Sequence, residues 1–292
     1  MKLALGTAQF GMDYGVTNQS GQPHASEVKA VLDYASATNI DMLDTAKAYG
    51  CSEAVLGDAL GGHGRFQYIT KLPKLDFRNV KQPLNIQIQE GFNDSIQKLR
   101  VKTIYALLLH DANDLLQSES DEVYHALARV KQEGLVCKIG VSAYSPGVVE
   151  EIISRYPIDI VQIPFNLLDQ RAESSGLFRL LHAKNVEVHV RSAFLQGVLL
   201  EDKARLPERF SAIDKQLTIL DEVANSLNTS KMAVALDFLK KHAAIDKVIV
   251  GVLSEQQLRE CVSAYQHDIK ACVDYQSMMC SDRSVIDPRC WQ

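Results

Sequence analysis

The run Ile104-Tyr105-Ala106-Leu107-Leu108-Leu109 is followed by a helix-patterned segment from about Asp121 to Gln132. Gly134 stops that segment, and a second apolar run begins, Cys137-Lys138-Ile139-Gly140-Val141-Ser142. A short continuous apolar run is what a strand covered on both faces looks like, and parallel strands need a crossover helix between them. The unit recurs along the chain. Upstream lie Leu3 to Gly6, Asp41-Met42-Leu43-Asp44 and Gln67-Tyr68-Ile69-Thr70-Lys71. Downstream lie Asp159-Ile160-Val161-Gln162-Ile163, Val186-Glu187-Val188-His189-Val190 and Lys247-Val248-Ile249-Val250-Gly251.

Helical spacing fills the intervals. Ser26 reads as an N-cap for a helix with Val28, Val31, Leu32 and Ala35 on one face. Ser52 to Leu60 is closed by Gly61-Gly62, and Ile88, Phe92, Ile96 and Leu99 form one stripe. Further helices are expected over Pro146 to Arg155, about Ser174 to Lys184, Ile213 to Leu227 and Lys231 to His242. A last helical region containing Glu255 to Tyr265 is expected to run toward the C-terminus. Eight runs separated by helices predict an α/β fold, a (β/α)8 TIM barrel, as a single domain over residues 1–292. The rival is a doubly wound open sheet, whose marker is G-x-G-x-x-G after the first strand. Gly6, Gly11 and Gly15 do not match it.

Composition excludes several function classes. The 292 residues are 46% apolar and 23% charged, ordinary values for a folded domain. No apolar run reaches the roughly 18 residues that a membrane span needs, and the first residues turn polar too soon for a signal peptide. The net charge is -5 with no basic block, so nucleic acid is not an expected partner. The six cysteines form no C-x-x-C pair and share no short spacer with histidine. They read as reduced thiols in a cytoplasmic protein, with no metal site. No strong exposed apolar stripe is evident, so a monomer is expected.

In a barrel of this kind the chemistry sits at the C-terminal ends of the strands. There the sequence places Asp44 and, just beyond it, Tyr49, then Lys71 and His110 on the next two strands. Ser142, Gln162, Arg191 and Ser192 end the later strands. A free tyrosine, with a pKa of about 10, is a weak acid near neutrality. A neighbouring ammonium lowers that pKa, a carboxylate holds the ammonium in place, and a histidine can orient a carbonyl. Together they suit protonation of a carbonyl that is receiving a hydride. His189, in mid-strand, reads as structural.

Asp44-Thr45-Ala46-Lys47-Ala48-Tyr49-Gly50 resembles the D-x-A-x-x-Y-G motif of the aldo/keto reductases. Leu5-Gly6-Thr7-Ala8-Gln9-Phe10-Gly11 is similar to their opening G-T-x-x-x-G. Ile69-Thr70-Lys71, Leu108-Leu109-His110-Asp111, Lys138 to Ser142 and Val161 to Asn166 resemble their later blocks, in order. The resemblance implies a barrel that binds NADPH or NADH across its strand ends without a Rossmann domain. Tyr49 would be the general acid, Lys71 would lower its pKa, Asp44 would pair with Lys71, and His110 would orient the carbonyl. Ser142 and Gln162 would hold the nicotinamide carboxamide. Gly6 and Thr7, with Gly251 and Ser254 after the last strand, would also meet the cofactor. The loop from Ser192 through Leu195 to Gly197 resembles the family's pyrophosphate loop. Phe10, Tyr14, Phe165 and Asn166 would surround a small carbonyl or alcohol substrate, with a sugar or sugar derivative preferred. The tail around Trp291 would either fold over the pocket or pack outside the barrel.

Three departures from the pattern stand out. Ser142 is followed by Ala143 where the family usually has asparagine, and Arg191 stands where many members stack a tyrosine on the nicotinamide. After the last strand, Leu253 and Gln257 occupy positions where NADPH-preferring members place Lys or Arg, and Glu255 adds a negative charge. Arg259 is expected to point away. The 2'-phosphate grip is therefore expected to be weak, with the Ser254 and Glu255 amides left to receive phosphate. A nucleotide-sensing or scaffolding barrel with little turnover is the alternative function.

Overall fold

The computed structural model describes residues 1–62, 66–78 and 82–291. Eight parallel strands close into a barrel in sequence order. They are β1 (Leu3–Gly6), β2 (Met42–Asp44), β3 (Gln67–Leu72), β4 (Ile104–Leu109), β5 (Val136–Ser142), β6 (Ile160–Pro164), β7 (Glu187–Arg191) and β8 (Lys247–Gly251). Closure is made by β1 pairing with β8, Leu3 opposite Val248 and Gly6 opposite Gly251. The helices are α1 (Ala8–Gly11), α2 (Ala25–Ala37), α3 (Ser52–Leu60), α4 (Leu84–Leu99), α5 (Ser120–Gln132) and α6 (Pro146–Arg155). They continue with α7 (Arg171–Ser174), α8 (Leu177–Ala183), α9 (Asp214–Ser226), α10 (Lys231–Lys241), α11 (Glu255–Gln266) and α12 (Arg283–Ile286).

Strand alternation explains the two cores. Ala4, Met42, Ile69, Ala106, Leu108, Ile160 and Ile249 form a small cluster of their own. Each lies on a strand, and their shared parity marks the barrel interior. The alternate residues, such as Leu3, Leu43, Leu107, Val161 and Val248, belong to the large cluster shared with the helices. Burial on both faces is why the strands read as unbroken apolar runs.

The same inward parity carries polar residues at both ends. Toward the N-terminal end, Glu187 on β7 pairs with Lys138 and His189 and accepts from the Tyr105 hydroxyl at 2.7 Å. Burial alone would raise the Glu187 carboxyl. Hydrogen bonds from His189, Lys138 and Tyr105 outweigh it and hold the pKa down to about 2. His189 is fully buried in this cluster, in keeping with a structural role.

Several boundaries differ from the sequence reading. α2 starts at Ala25 with His24 in the cap position, two residues before the expected cap Ser26. The segment expected as one helix from Ser174 splits into α7 and α8 because Gly176 takes φ 80° between them. α11 ends at Gln266 and the tail continues as short turns and α12. In that tail Trp291 packs edge-on against Phe210, ring centres 5.1 Å apart, and its indole N–H donates to the Val285 carbonyl.

A glycine contact sets the loop after β2. An atom added at the Cβ position of Gly11 would meet the Tyr49 carbonyl oxygen at 1.9 Å and the Ser52 nitrogen at 2.3 Å. Gly50, at φ 58°, would put its own Cβ 2.2 Å from the Gly11 oxygen. Two backbones thus touch where the loop carrying Tyr49 ends and α3 starts. Gly11→Ala is expected to destabilise the protein by about 2 kcal/mol or more, read as a Tm lowered by about 4 °C or more. An unchanged melting curve would show that the loop moves aside freely.

Candidate active site

The C-terminal ends of the strands surround a cleft of about 530 Å³. Asp44, Tyr49 and His110 line it, together with Gly6, Thr7 and Tyr14. Arg191, Ser192 and Gly197 line it from β7 and the loop after it, and Gly251 lines it next to Gly6.

Lys71 lies beneath this floor and is fully buried. Its ammonium donates to both Asp44 carboxylate oxygens, at 2.9 and 2.8 Å, and to the Thr45 carbonyl at 2.9 Å. A charge with no exposure survives only with such a partner set. The same ammonium is 3.4 Å from the Tyr49 hydroxyl and 4.9 Å from the centre of its ring. His110 meets Tyr49 edge-on, ring centres 5.6 Å apart. Asp44, Lys71 and His110, from three neighbouring strands, therefore gather around Tyr49, with the Lys71 ammonium at its hydroxyl.

The electrostatics differ from the sequence expectation in one respect. Lys71 was expected to lower the Tyr49 pKa. Burial instead pushes Tyr49 well above the usual phenol value, the Asp44 carboxylate adds to the rise, and Arg191 is the cation that opposes it. The reason is geometric: the Tyr49 hydroxyl is buried, and the Lys71 ammonium near it is held by both Asp44 carboxylate oxygens. Burial also draws Lys71 down, with Asp44 resisting.

Burial lowers the His110 imidazole to about 4, and the Lys71 and Arg191 charges push the same way. His110 is therefore neutral at physiological pH. The folded pKa lies below the unfolded value of about 6.5, so the unfolded chain binds the proton first as pH falls. The stability present above pH 6.5 is thus expected to drop as the pH falls toward 4, by on the order of 2 kcal/mol after allowance for partial exposure. His110→Gln should remove that part of the pH dependence. A histidine-resolved NMR titration with a His110 midpoint near 6.5 would contradict it.

Around this floor the cofactor-facing candidates divide. Ser142 and Gln162 are register neighbours at the ends of β5 and β6, and both are buried. The Gln162 amide nitrogen donates to Asp44 at 2.7 Å, and its Oε1 is buried with no partner. Thr7 donates its hydroxyl to the Asp44 carbonyl and lies 2.8 Å from the Ser52 hydroxyl, so its side chain braces the β2 end. The loop over residues 192–197 bends sharply, with φ of 60° at Ser192, 48° at Leu195 and 94° at Gly197. A Cβ at Gly197 would meet the Thr17 hydroxyl at 2.0 Å, so only glycine lets the loop close against that segment.

Eight expected site residues do not line the cleft: Lys71, Ser142 and Gln162 are buried beyond its lining, and five others serve elsewhere. Phe10 is fully buried in the large core. Phe165 is fully buried against Phe178, Phe238 and His242, with ring centres 4.9 to 5.1 Å away, because it points outward to the helices. Asn166 ties the loop after β6: its Oδ1 accepts from the Leu168 and Asp169 amides and its amide donates to the Ser192 carbonyl. Leu195 is a core residue. The Ser254 hydroxyl accepts from the Gln257 amide as the α11 cap.

Arg191 does reach the cleft, but its planar neighbour is Tyr144, with the guanidinium carbon 4.1 Å from the ring centre. Tyr144 was missed by the sequence reading. It sits two residues past Ser142, in step with the inward residues of β5, and that parity was the available signal. Arg289 from the tail also lies over it, at 4.0 Å. Arg259, as expected, points away: it pairs with Glu255 and lies 4.1 Å from the Tyr34 ring.

A model of the aldo/keto reductase family matches residues 2–273. The chain belongs to the aldo/keto reductase family. Among relatives of this aldo/keto reductase is the uncharacterized oxidoreductase YqkF of Bacillus subtilis, 27% identical over 284 residues and 90% of each chain. The L-glyceraldehyde 3-phosphate reductase of Escherichia coli O157:H7 is 23% identical, over 87% of this chain and 83% of its own. Among solved structures, the holo form of aldo-keto reductase AKR11C1 from Bacillus halodurans superposes with a TM-score of 0.77 at 24% identity. It covers 95% of this chain and 90% of its own, and it agrees in fold. The aldo/keto reductase is thus an NAD(P)-dependent oxidoreductase acting on carbonyl groups. Among the described residues no helix is long and apolar enough to cross a membrane.

Proposed function

We propose that this protein is an NADH-preferring reductase of small polar aldehydes or ketones, acting as a monomer, with Tyr49 as the proton donor. The observation that carries this reading is the Lys71–Asp44 pair under the Tyr49 hydroxyl, with neutral His110 beside it. Bound NADH would supply the hydride. Tyr49 holds a proton at neutral pH because burial keeps its pKa high, and it gives that proton to the carbonyl oxygen, which becomes far more basic on reduction. Lys71 then sits closest to the oxygen that Tyr49 leaves charged. Neutral His110 donates a hydrogen bond that orients the carbonyl. The orphaned Gln162 Oε1 and the neighbouring Ser142 suit a carboxamide, since a buried acceptor without a partner is costly until a donor arrives. Gly6, the bend at residues 192–197 and Gly251 leave room for close approach of a dinucleotide backbone.

The cofactor preference rests on the start of α11. The Glu255 amide is taken by the Glu27 carboxylate of α2 at 2.6 Å. The Leu253 amide is taken by Gln257 Oε1, and the Gln257 amide by Ser254. Of the two amides expected to receive phosphate, that of Glu255 is thus already taken, and by a negative charge, while the Leu253 and Gln257 amides beside it are satisfied from within. A sugar-like or phosphorylated substrate agrees with relatives named for L-glyceraldehyde 3-phosphate and L-galactose. A sensing or scaffolding role has no observation in its favour while the four-residue floor is intact. The test is NADH consumption by the purified protein with a panel of small aldehydes and ketones. Substrate-dependent consumption is expected; none with any carbonyl compound would overturn the reading.

A further inference from the structure

Arg191 closes the inward series Glu187, His189, Arg191 on β7 and stands level with Pro164 of β6. It is half-buried and lines the cleft beside Tyr14, Tyr49, His110 and Tyr144. Its guanidinium donates to the Ala143 carbonyl at 3.2 Å and contacts the Ser192 hydroxyl at 3.4 Å. Among the described residues it makes no ion pair with a carboxylate. The other cations near the site are already matched. Lys71 is held by Asp44, and Arg289 grips Asp287 through two contacts, at 2.9 and 2.6 Å. Asp44 itself is committed to Lys71 and Gln162. A guanidinium has five donors in a planar fork, and here most remain unused in a partly dehydrated setting.

We infer that Arg191, flanked by Tyr144 and Tyr14, receives a carboxylate or phosphate carried by the carbonyl substrate. This inference rests on the reductase reading above. The charge acts where the carbonyl would lie, since Arg191 bears on Tyr14, Tyr49 and His110 together. Charge-assisted pairing restores what the guanidinium lost in hydration, and the bidentate fork fixes the distance between the anionic end and the reacting carbon. Tyr144 holds the guanidinium in plane, and Arg289, anchored by Asp287, holds Tyr144 from the tail. The C-terminal tail thereby enters substrate selection without touching the reacting atoms.

The test compares matched substrates: para-carboxybenzaldehyde against benzaldehyde, and glyceraldehyde phosphate against glyceraldehyde. The wild-type protein is expected to favour the charged member of at least one pair by about tenfold or more in kcat/KM, through KM, the size of one charge-assisted contact. Arg191→Gln should bring that ratio close to unity, and Arg191→Lys should restore part of it. Equal use of charged and neutral aldehydes by the wild-type protein, which needs no variant to fold, would overturn the inference and leave the reductase reading standing. So would a preference that persists in Arg191→Gln. An NADH titration of the same variant separates the other oxyanion source. If NADH binding weakens by about tenfold while the charged-to-neutral ratio holds, the anion is the cofactor's diphosphate and the substrate assignment fails. Failure to reduce any of the four aldehydes would bring down the reductase reading and this inference with it.

Discussion

Tyr49→Phe is expected to lower kcat/KM for carbonyl reduction by about a hundred- to ten-thousand-fold, the usual worth of a positioned general acid. The substitution removes one oxygen and keeps the ring that meets His110 edge-on. NADH affinity should therefore change little, and the loss should appear in kcat. Lys71 would stay paired with Asp44 at 2.8 Å, so the floor should not collapse. The pH behaviour follows from the same groups. Tyr49 lies above the usual phenol range and His110 near 4, so neither titrates through neutrality. Reduction should be flat with pH from about 6 to 9, whereas alcohol oxidation, which needs the phenol deprotonated, should rise with pH. Steady-state kinetics of the variant decide the matter, and turnover at the wild-type rate would remove Tyr49 from the chemistry.

The second large effect concerns the cofactor. NADH is expected to outperform NADPH in kcat/KM by about tenfold or more. A 2'-phosphate at the α11 start would find the Glu255 amide already taken by the Glu27 carboxylate, and Leu253 and Gln257 where basic side chains are usual. Each missing charge-assisted hydrogen bond is worth roughly 1.5 to 3 kcal/mol. Glu27→Gln removes the negative charge at the Glu255 amide while keeping an oxygen for it. It should narrow the preference, chiefly by improving NADPH. Parallel kinetics with both cofactors measure it, and preference for NADPH in the wild-type protein would refute the assignment to Glu27.

The barrel was legible because burial on both faces leaves a plain mark. Runs such as Ile104 to Leu109 and Lys247 to Gly251 coincide with β4 and β8. Asp44, Tyr49, Lys71 and His110 were legible because strand ends fix where such residues converge. Phe165 misled because it directly follows Pro164, the last residue of β6, and next to a strand end one position decides between cleft and helix layer. Asn166 misled because its side chain serves its own loop. Glu27 could not be read at all: its effect on Glu255 spans 228 residues and arises only when α2 packs beside α11. The rise in the Tyr49 pKa was equally hidden, since it comes first from burial of the hydroxyl and then from the Asp44 carboxylate, and burial is set only by the folded chain.

The most direct test of the account is transfer of a labelled hydride. The wild-type protein would be given NADH deuterated at the transferable nicotinamide position together with an aldehyde it turns over. The account predicts deuterium on the carbinol carbon of the product and a solvent-derived proton on its oxygen. An alcohol formed without the label, or NADH that binds but never transfers it, would contradict the account.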